Sequence, residues 1–310
     1  MAKPRELRRR IRSIQNTRKI TKTMELVSTS KLKRAQDRVV GARPYARALA
    51  EVLGDLYAPD LAERFPLLRQ PAADGTKRVG LVLITSNRGL CGAFNANLIR
   101  EARRRMQELE GQGVSIDLHL VGKKGISYFK FTKRAVASQR TDIGDKPTAA
   151  HAAELVAPLM AQFQAGTLDA VEVVFAQFKS AVSTPPTTLR ILPVTPPRAD
   201  RRLGGSAVST GTDALSAQPP NRLSAYYILK PSADAILESL LPLYVRNQMF
   251  RALVETAAAE HGARRTAMKN ATDSAGDMLD LLRRTYNRAR QAVITQELAE
   301  IVGGAEALKG

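Results

Sequence analysis

Proline placement constrains this chain more than any other feature. No proline lies between Pro4 and Pro44, and none follows Pro242. Proline removes an amide donor and clashes with the preceding turn, so these two windows are where a long uninterrupted helix is permitted. In the first, apolar residues recur at Leu7, Ile11, Ile14, Ile20, Met24, Val27, Leu32, Ala35 and Val39. Most steps are of three or four residues, with a longer skip across the polar Asn16–Lys19. In the second, a stripe runs through Met249, Ala252, Thr256, Ala259, Ala263, Ala267, Ala271, Ala275, Met278, Leu282, Tyr286, Ala289 and Val293. Such spacing, sustained over several heptads, predicts a coiled-coil seam, and the many alanines let two helices approach closely. At ~1.5 Å per residue the second helix would be roughly 100 Å long. The simplest partner for each window is the other, which gives an antiparallel coiled coil of the N- and C-terminal helices.

The middle of the chain has a different texture. Arg78–Thr85, Ser115–Gly122 and Ala170–Phe178 are short β-branched runs, separated by the helix-like stretches Asn95–Leu109 and Thr148–Phe163. Strands alternating with helices predict a small, mostly parallel α/β sheet. Ser183–Asn221 follows with seven prolines and many Gly, Ser and Thr, leaving room for one short strand at Leu189–Leu192. The expected organisation is a helix over 1–57, an α/β domain over 76–195, a flexible linker over 196–222 and a second helix over 232–304.

Charge is unevenly distributed. Net charge is +19, and residues 1–50 carry 15 Lys/Arg against 3 Asp/Glu, whereas residues 226–310 carry 11 against 10. The excess therefore sits mainly on the first helix. A basic helix of this kind suits nucleic acid, a protein or membrane-proximal partner, or plain solvation. Aromatic residues are only 5% of the chain and none precedes Tyr45, so the first helix offers no base-stacking platform. The single cysteine, Cys91, allows no internal disulfide and points to a reducing compartment. The basic start lacks the apolar run of a secretory signal, and no stretch of 18 apolar residues predicts a membrane span.

Little in the sequence suggests bond chemistry. Thr85–Leu98 reads as a strand, a Gly-x-x-Gly turn and a helix start, where backbone amides could hold a phosphate. It is not a P-loop, and it lacks the third glycine and the acidic residue of a dinucleotide site, so a tight turn is the better reading. Cys91 within it reads as a packed thiol. Val121–Gly125 reads as an exposed turn. His119, His151 and His261 are scattered and make no metal-ligand spacing. No catalytic, cofactor or metal residue is expected.

Three separated stretches carry a family resemblance: IRSIQNTRKITKTMELVSTSKLKRAQ, SNRGLCGAFNANL, and RRTAMKNATDSAGDML with NRARQAVITQELAEIVGGAEAL. Together they resemble the gamma subunit of F-type ATP synthase, bacterial type. The resemblance implies α/β plus long helices, with the terminal coiled coil beside a Rossmann-like domain. It implies a rotor shaft without catalytic residues of its own, turned by proton flow through a membrane c-ring inside a hexamer of alpha and beta subunits. The epsilon subunit would be a further partner, contact with the membrane would come only through the complex, and no nucleic acid would be bound. The location would be the cytoplasmic face of the bacterial inner membrane. Met24 matches a position that faces the beta subunit; Arg264, Gln291, Thr295 and Glu297 match polar positions that engage the hexamer. Leu298, Ile301 and Val302 match the end held in an apolar bearing. The stretch 198–220 departs from the pattern, so no epsilon or ring contact is carried onto it.

Overall fold

A computed structural model describes residues 4–56, 64–70, 76–181, 183–195 and 233–307. The segment 196–222, expected as a linker, lies outside the described residues. The chain divides into two compact units. One comprises 1–31, 90–92 and 261–310, and the other 32–89 and 93–260. Two long helices contribute to both: α1, Pro4–Leu56, and the last helix, Ala233–Ala307. Both continue through an internal proline, Pro44 and Pro242 respectively.

The larger unit is built on a five-stranded sheet. Its elements are β1 (Arg78–Ile84), α2 (Phe94–Gly111), β2 (Ser115–Val121), α3 (Lys123–Phe131), β3 (Ser138–Arg140), α4 (Ala149–Gln164), β4 (Ala170–Ala176) and β5 (Pro186–Leu192). The last helix is therefore α5. Strand order is β3-β2-β1-β4-β5, parallel throughout except that β5 runs antiparallel beside β4. Apart from Arg78 and Glu172, β1 and β4 are apolar on both faces and almost wholly buried, the pattern of a parallel sheet covered on both sides. One face packs against Leu155, Leu159 and Phe163 of α4, Leu49, Leu53 and Leu56 of α1, and Leu237, Val245 and Met249 of α5. α2 lies against the sheet too and buries Phe94, Leu98, Ala102, Met106 and Leu109.

One of the charges buried in this unit ties three elements together. Glu172 on β4 has a side chain only 3% exposed. Arg105 of α2 closes on it in bidentate fashion, at 2.7 and 2.8 Å, and Arg190 of β5 adds a contact at 3.0 Å. Burial pushes the Glu172 carboxyl up, and hydrogen bonds from the two guanidiniums outweigh it, so the net shift is downward. Each arginine comes from a different element, so the carboxylate ties α2 and β5 to the central strand.

Two elements differ from the sequence expectation. Val121–Gly125 is not an exposed turn: Gly122 alone turns, at φ +96°, and α3 begins at the next residue. A Cβ at Gly122 would sit 2.1 Å from the Thr85 carbonyl oxygen, so only glycine fits. β5 starts at Pro186, three residues before the expected strand, which an antiparallel edge strand tolerates.

The smaller unit is the helical pair itself. Thr21 and Thr272 hydroxyls lie 2.8 Å apart, and Arg8 reaches the Tyr286 hydroxyl at 2.9 Å. Residue numbers fall on α1 as they rise on α5, so the pair is antiparallel. The seam on α1 runs through Leu7, Ile11, Ile14, Thr21, Met24, Ser28 and Lys31 rather than through every apolar residue. Ile20 and Val27, expected in the seam, are 60% and 50% exposed. Heptad phase decides this. Leu7, Ile14, Thr21 and Ser28 repeat every seven residues and hold one line along the helix, whereas Ile20 and Val27 each lie one residue off that line. On α5 the seam likewise shifts by one residue, burying Met268, Thr272 and Leu279 and leaving Met278 53% exposed.

Candidate partner-binding surface

The loop that follows β1 is tied to the start of α3. After β1, the Thr85 hydroxyl accepts the Gly125 amide at 3.0 Å, and Asn87 Oδ1 accepts the Lys123 amide at 3.0 Å. The Lys124 amide goes to the Ser86 carbonyl. The first turn of α3 thus has its donors satisfied by the preceding loop, and no free amides remain to hold an anion. At the start of α2, Asn95 Oδ1 turns back to accept the Ser86 amide at 3.1 Å. The loop is a fastening between strand ends. Within the helical unit, Cys91 is buried and the neighbouring Gly92 lies against Ala267 of α5.

The histidines are spoken for separately. His119 on β2 lies 2.7 Å from the Ser138 hydroxyl, and burial holds its pKa below the usual value. His151 completes a capping box with Thr148 at the start of α4. His261 lies 3.4 Å from Arg264 on α5. No three His, Cys, Asp or Glu among the described residues are grouped to hold a metal ion.

What the helical unit does present is surface. From Arg290 to Ala305 every residue of α5 is exposed, although the helix continues unbroken. Gln291, Thr295, Leu298 and Val302 recur at steps of four, three and four and so share one face. The Thr295 hydroxyl is turned back onto the Gln291 carbonyl at 3.0 Å. Glu297 is exposed, and Leu298, Ile301 and Val302 are 57%, 67% and 63% exposed. Each of these three aliphatic side chains forgoes part of the ~1.5–3 kcal/mol that full burial would give, which makes this face a candidate surface for a partner.

The other two expected residues lie elsewhere on the pair. Met24 is half-buried on α1, near the level of Lys269 if the Thr21–Thr272 register continues. That places it roughly 30 Å along α5 from Gln291. Arg264 is only 7% exposed and turned toward His261, so its head is largely inside the chain. Residues that the sequence reasoning did not select include Ile20, Leu26, Val27, Leu281 and Ile294, all exposed aliphatics of the same unit. The signal that finds them is an apolar side chain out of heptad phase.

A family model described as ATP synthase matches residues 3–308. The ATP synthase gamma chain of Gemmatimonas aurantiaca is 59% identical over 310 residues, covering 100% of both chains. The chain belongs to the ATP synthase gamma-chain family. The gamma chain of Leptospira biflexa is 42% identical over 308 residues, covering 99% of this chain and 100% of that one. Among solved structures, the fold resembles a chain of the Euglena gracilis mitochondrial ATP synthase rotor, with a TM-score of 0.63 at 20% identity over 94% of this chain and 98% of that one. A chain of the Tetrahymena thermophila central stalk and c-ring gives 0.57 at 22% identity over 81% and 99%. Family membership makes the chain a subunit of an ATP synthase, a membrane-associated complex. No described helix is long and apolar enough to cross a membrane.

Proposed function

We propose that the chain is the central rotor shaft of an F-type ATP synthase and contributes no catalytic group. The observation that carries this reading is the 59% identity to a gamma chain over the whole of both sequences. The bare end of α5 agrees with it, since a helix exposed on every side suits a sleeve of surrounding subunits. Its partners are then the alpha and beta subunits, the epsilon subunit and a membrane c-ring, at the cytoplasmic face of the bacterial inner membrane.

Coupling requires that each orientation of the shaft stabilise one arrangement of the hexamer more than the others. An α1–α5 pair is suited to that, because its faces differ. It exposes aliphatic side chains such as Leu26 and Leu298 alongside many lysines and arginines. Contacts by Gln291, Thr295 and Glu297 are polar and can be broken and remade. Leu298, Ile301 and Val302 provide an apolar bearing contact, and Met24 a contact with a beta subunit. Arg264, largely covered by its own chain, acts there by holding the α5 surface in shape.

Co-expression with alpha and beta subunits tests the reading. Size exclusion should give one complex containing all three chains, with ATP turnover different from that of the hexamer alone. A chain that elutes separately and leaves turnover unchanged would end it. Met24→Lys should disturb ATP-driven proton pumping more than the thermal stability of the chain. Normal pumping in that variant removes Met24 from the contact set.

A further inference from the structure

The sheet unit contains a cavity of about 670 Å³ that the shaft function does not use. Ligand sites typically occupy about 300–1,000 Å³. Its walls come from α1, from the turn after β4, from β5 and from α5. Val39, Phe178, Tyr244 and Val254 are buried and apolar or aromatic. Four cations line the same space: Arg43, Arg47, Lys179 and Arg251.

Arg43, Arg47 and Lys179 are exposed and stand at the mouth of the cavity, where cations outnumber carboxylates among the described residues. Glu255 is its one carboxylate, and it is already engaged. Its Oε1 accepts Arg251 Nε at 2.7 Å, and its Oε2 accepts the Phe178 amide at 3.0 Å. Arg43 reaches only the Phe178 carbonyl, at 3.4 Å. Among the described residues, no carboxylate lies within ion-pair distance of Arg43, Arg47 or Lys179. Gln248, which also lines the cavity, is hydrogen-bonded to Tyr244 through its side chain, and its buried Oε1 has no hydrogen-bond partner among the described residues. Buried acceptors are normally paired, so this one lacks a donor.

We propose that this cavity binds an amphipathic anion: an apolar body of ligand size bearing one carboxylate, with a hydroxyl or N–H to donate to Gln248. The apolar walls take the body, the unpaired Arg43, Arg47 and Lys179 draw the carboxylate, and Gln248 selects for the donor.

Isothermal titration of the full chain with 4-hydroxycinnamate, cinnamate and 4-hydroxycinnamyl alcohol separates these contributions. The expected result is saturable one-site binding of 4-hydroxycinnamate. The neutral alcohol, or the acid on an Arg47→Ala/Lys179→Ala double variant, binds at least about tenfold more weakly. Cinnamate binds severalfold more weakly than its hydroxylated analogue to the native chain and equally to Gln248→Leu. Both arginine and lysine are exposed, so the double variant should keep the native circular dichroism spectrum. Ala46→Trp, which fills the cavity from α1, abolishes binding. Absence of saturable binding up to millimolar ligand overturns the proposal, as does undiminished binding by Ala46→Trp. Equal affinity for the acid and the alcohol overturns the assignment of an anion.

Discussion

In the sheet unit Glu172 is buried beneath two arginines, and β4 is buried along its whole length. In the helical unit the last turns of α5 bury nothing, and the seam contains Thr21, Ser28 and Thr272 where a tighter pair would use leucine. The first arrangement buys rigidity with a dense core and a satisfied internal charge. The second keeps the helices together on a thin seam and leaves aliphatic side chains exposed. A substitution should therefore act mainly through stability in one unit and mainly through assembly in the other.

The largest effect belongs to the sheet core. Phe163 on α4 has no exposed surface. Phe163→Ala leaves a cavity where the ring stood, and should destabilise the chain by about 3–5 kcal/mol. Urea unfolding followed by circular dichroism checks this. A loss under 1 kcal/mol would mean that the sheet core repacks as freely as a surface, and the contrast between the units would fail.

The buried charge comes next. Arg105→Leu removes the bidentate partner and leaves Glu172 to Arg190 alone. A loss of about 2–3 kcal/mol is expected, since hydrogen bonds to a buried charge are expensive to leave unmade. The same site predicts a pH dependence. The folded Glu172 carboxyl titrates below its ordinary value of 4.5, so its contribution is complete above about that pH and is lost as pH falls through the lower folded value. Asp142, held down to about 2 by Arg140, works in the same direction from the surface. Glu172→Gln should be less stable than the native chain at pH 7, and its stability should fall less steeply between pH 4.5 and pH 2. Parallel acid limbs would show that Glu172 is not the group responsible.

Much of this architecture was legible in the sequence. β1, β2 and β4 were visible because buried parallel strands are unbroken β-branched runs, and α1 and α5 because proline is absent from long windows. β3 was not visible: Ser138, Gln139 and Arg140 are polar, and only pairing with β2 makes them a strand. α3 was hidden because Gly122 and Gly125 look like a loop, whereas Gly125 packs against Thr85 and the helix is held by burying Phe129. The seam was misread wherever apolarity and heptad phase disagreed. Leu298, Ile301 and Val302 were proposed only through family resemblance, since an unpartnered apolar face looks in sequence like half of another seam.

Within the seam the effects become smaller. Thr272 is buried and its hydroxyl lies 2.8 Å from both the Thr21 hydroxyl and the Met268 carbonyl. Thr272→Val keeps the shape and removes these hydrogen bonds, leaving Thr21 able to donate to the Arg18 carbonyl instead. A loss of about 1 kcal/mol is expected. A loss above 3 kcal/mol would mean that the helical pair depends on a polar network as strongly as the sheet depends on Glu172.

The smallest stability effect is expected at the exposed end of α5. Leu298→Ser with Ile301→Ser removes two aliphatic side chains that are 57% and 67% exposed. The urea midpoint of the isolated chain should move by no more than about 0.5 kcal/mol in free energy, because neither residue leaves a cavity. In the complex the same change should weaken retention of the chain with the alpha and beta subunits and lower the yield of ATP-driven proton pumping per ATP hydrolysed. The two readouts together give the test its force. A large stability loss would show that the end of α5 packs on its own chain in solution, and unchanged pumping would show that the exposed aliphatics are not a bearing. Only an unchanged midpoint with impaired coupling is what a helix exposed on every side and covered by other subunits should give.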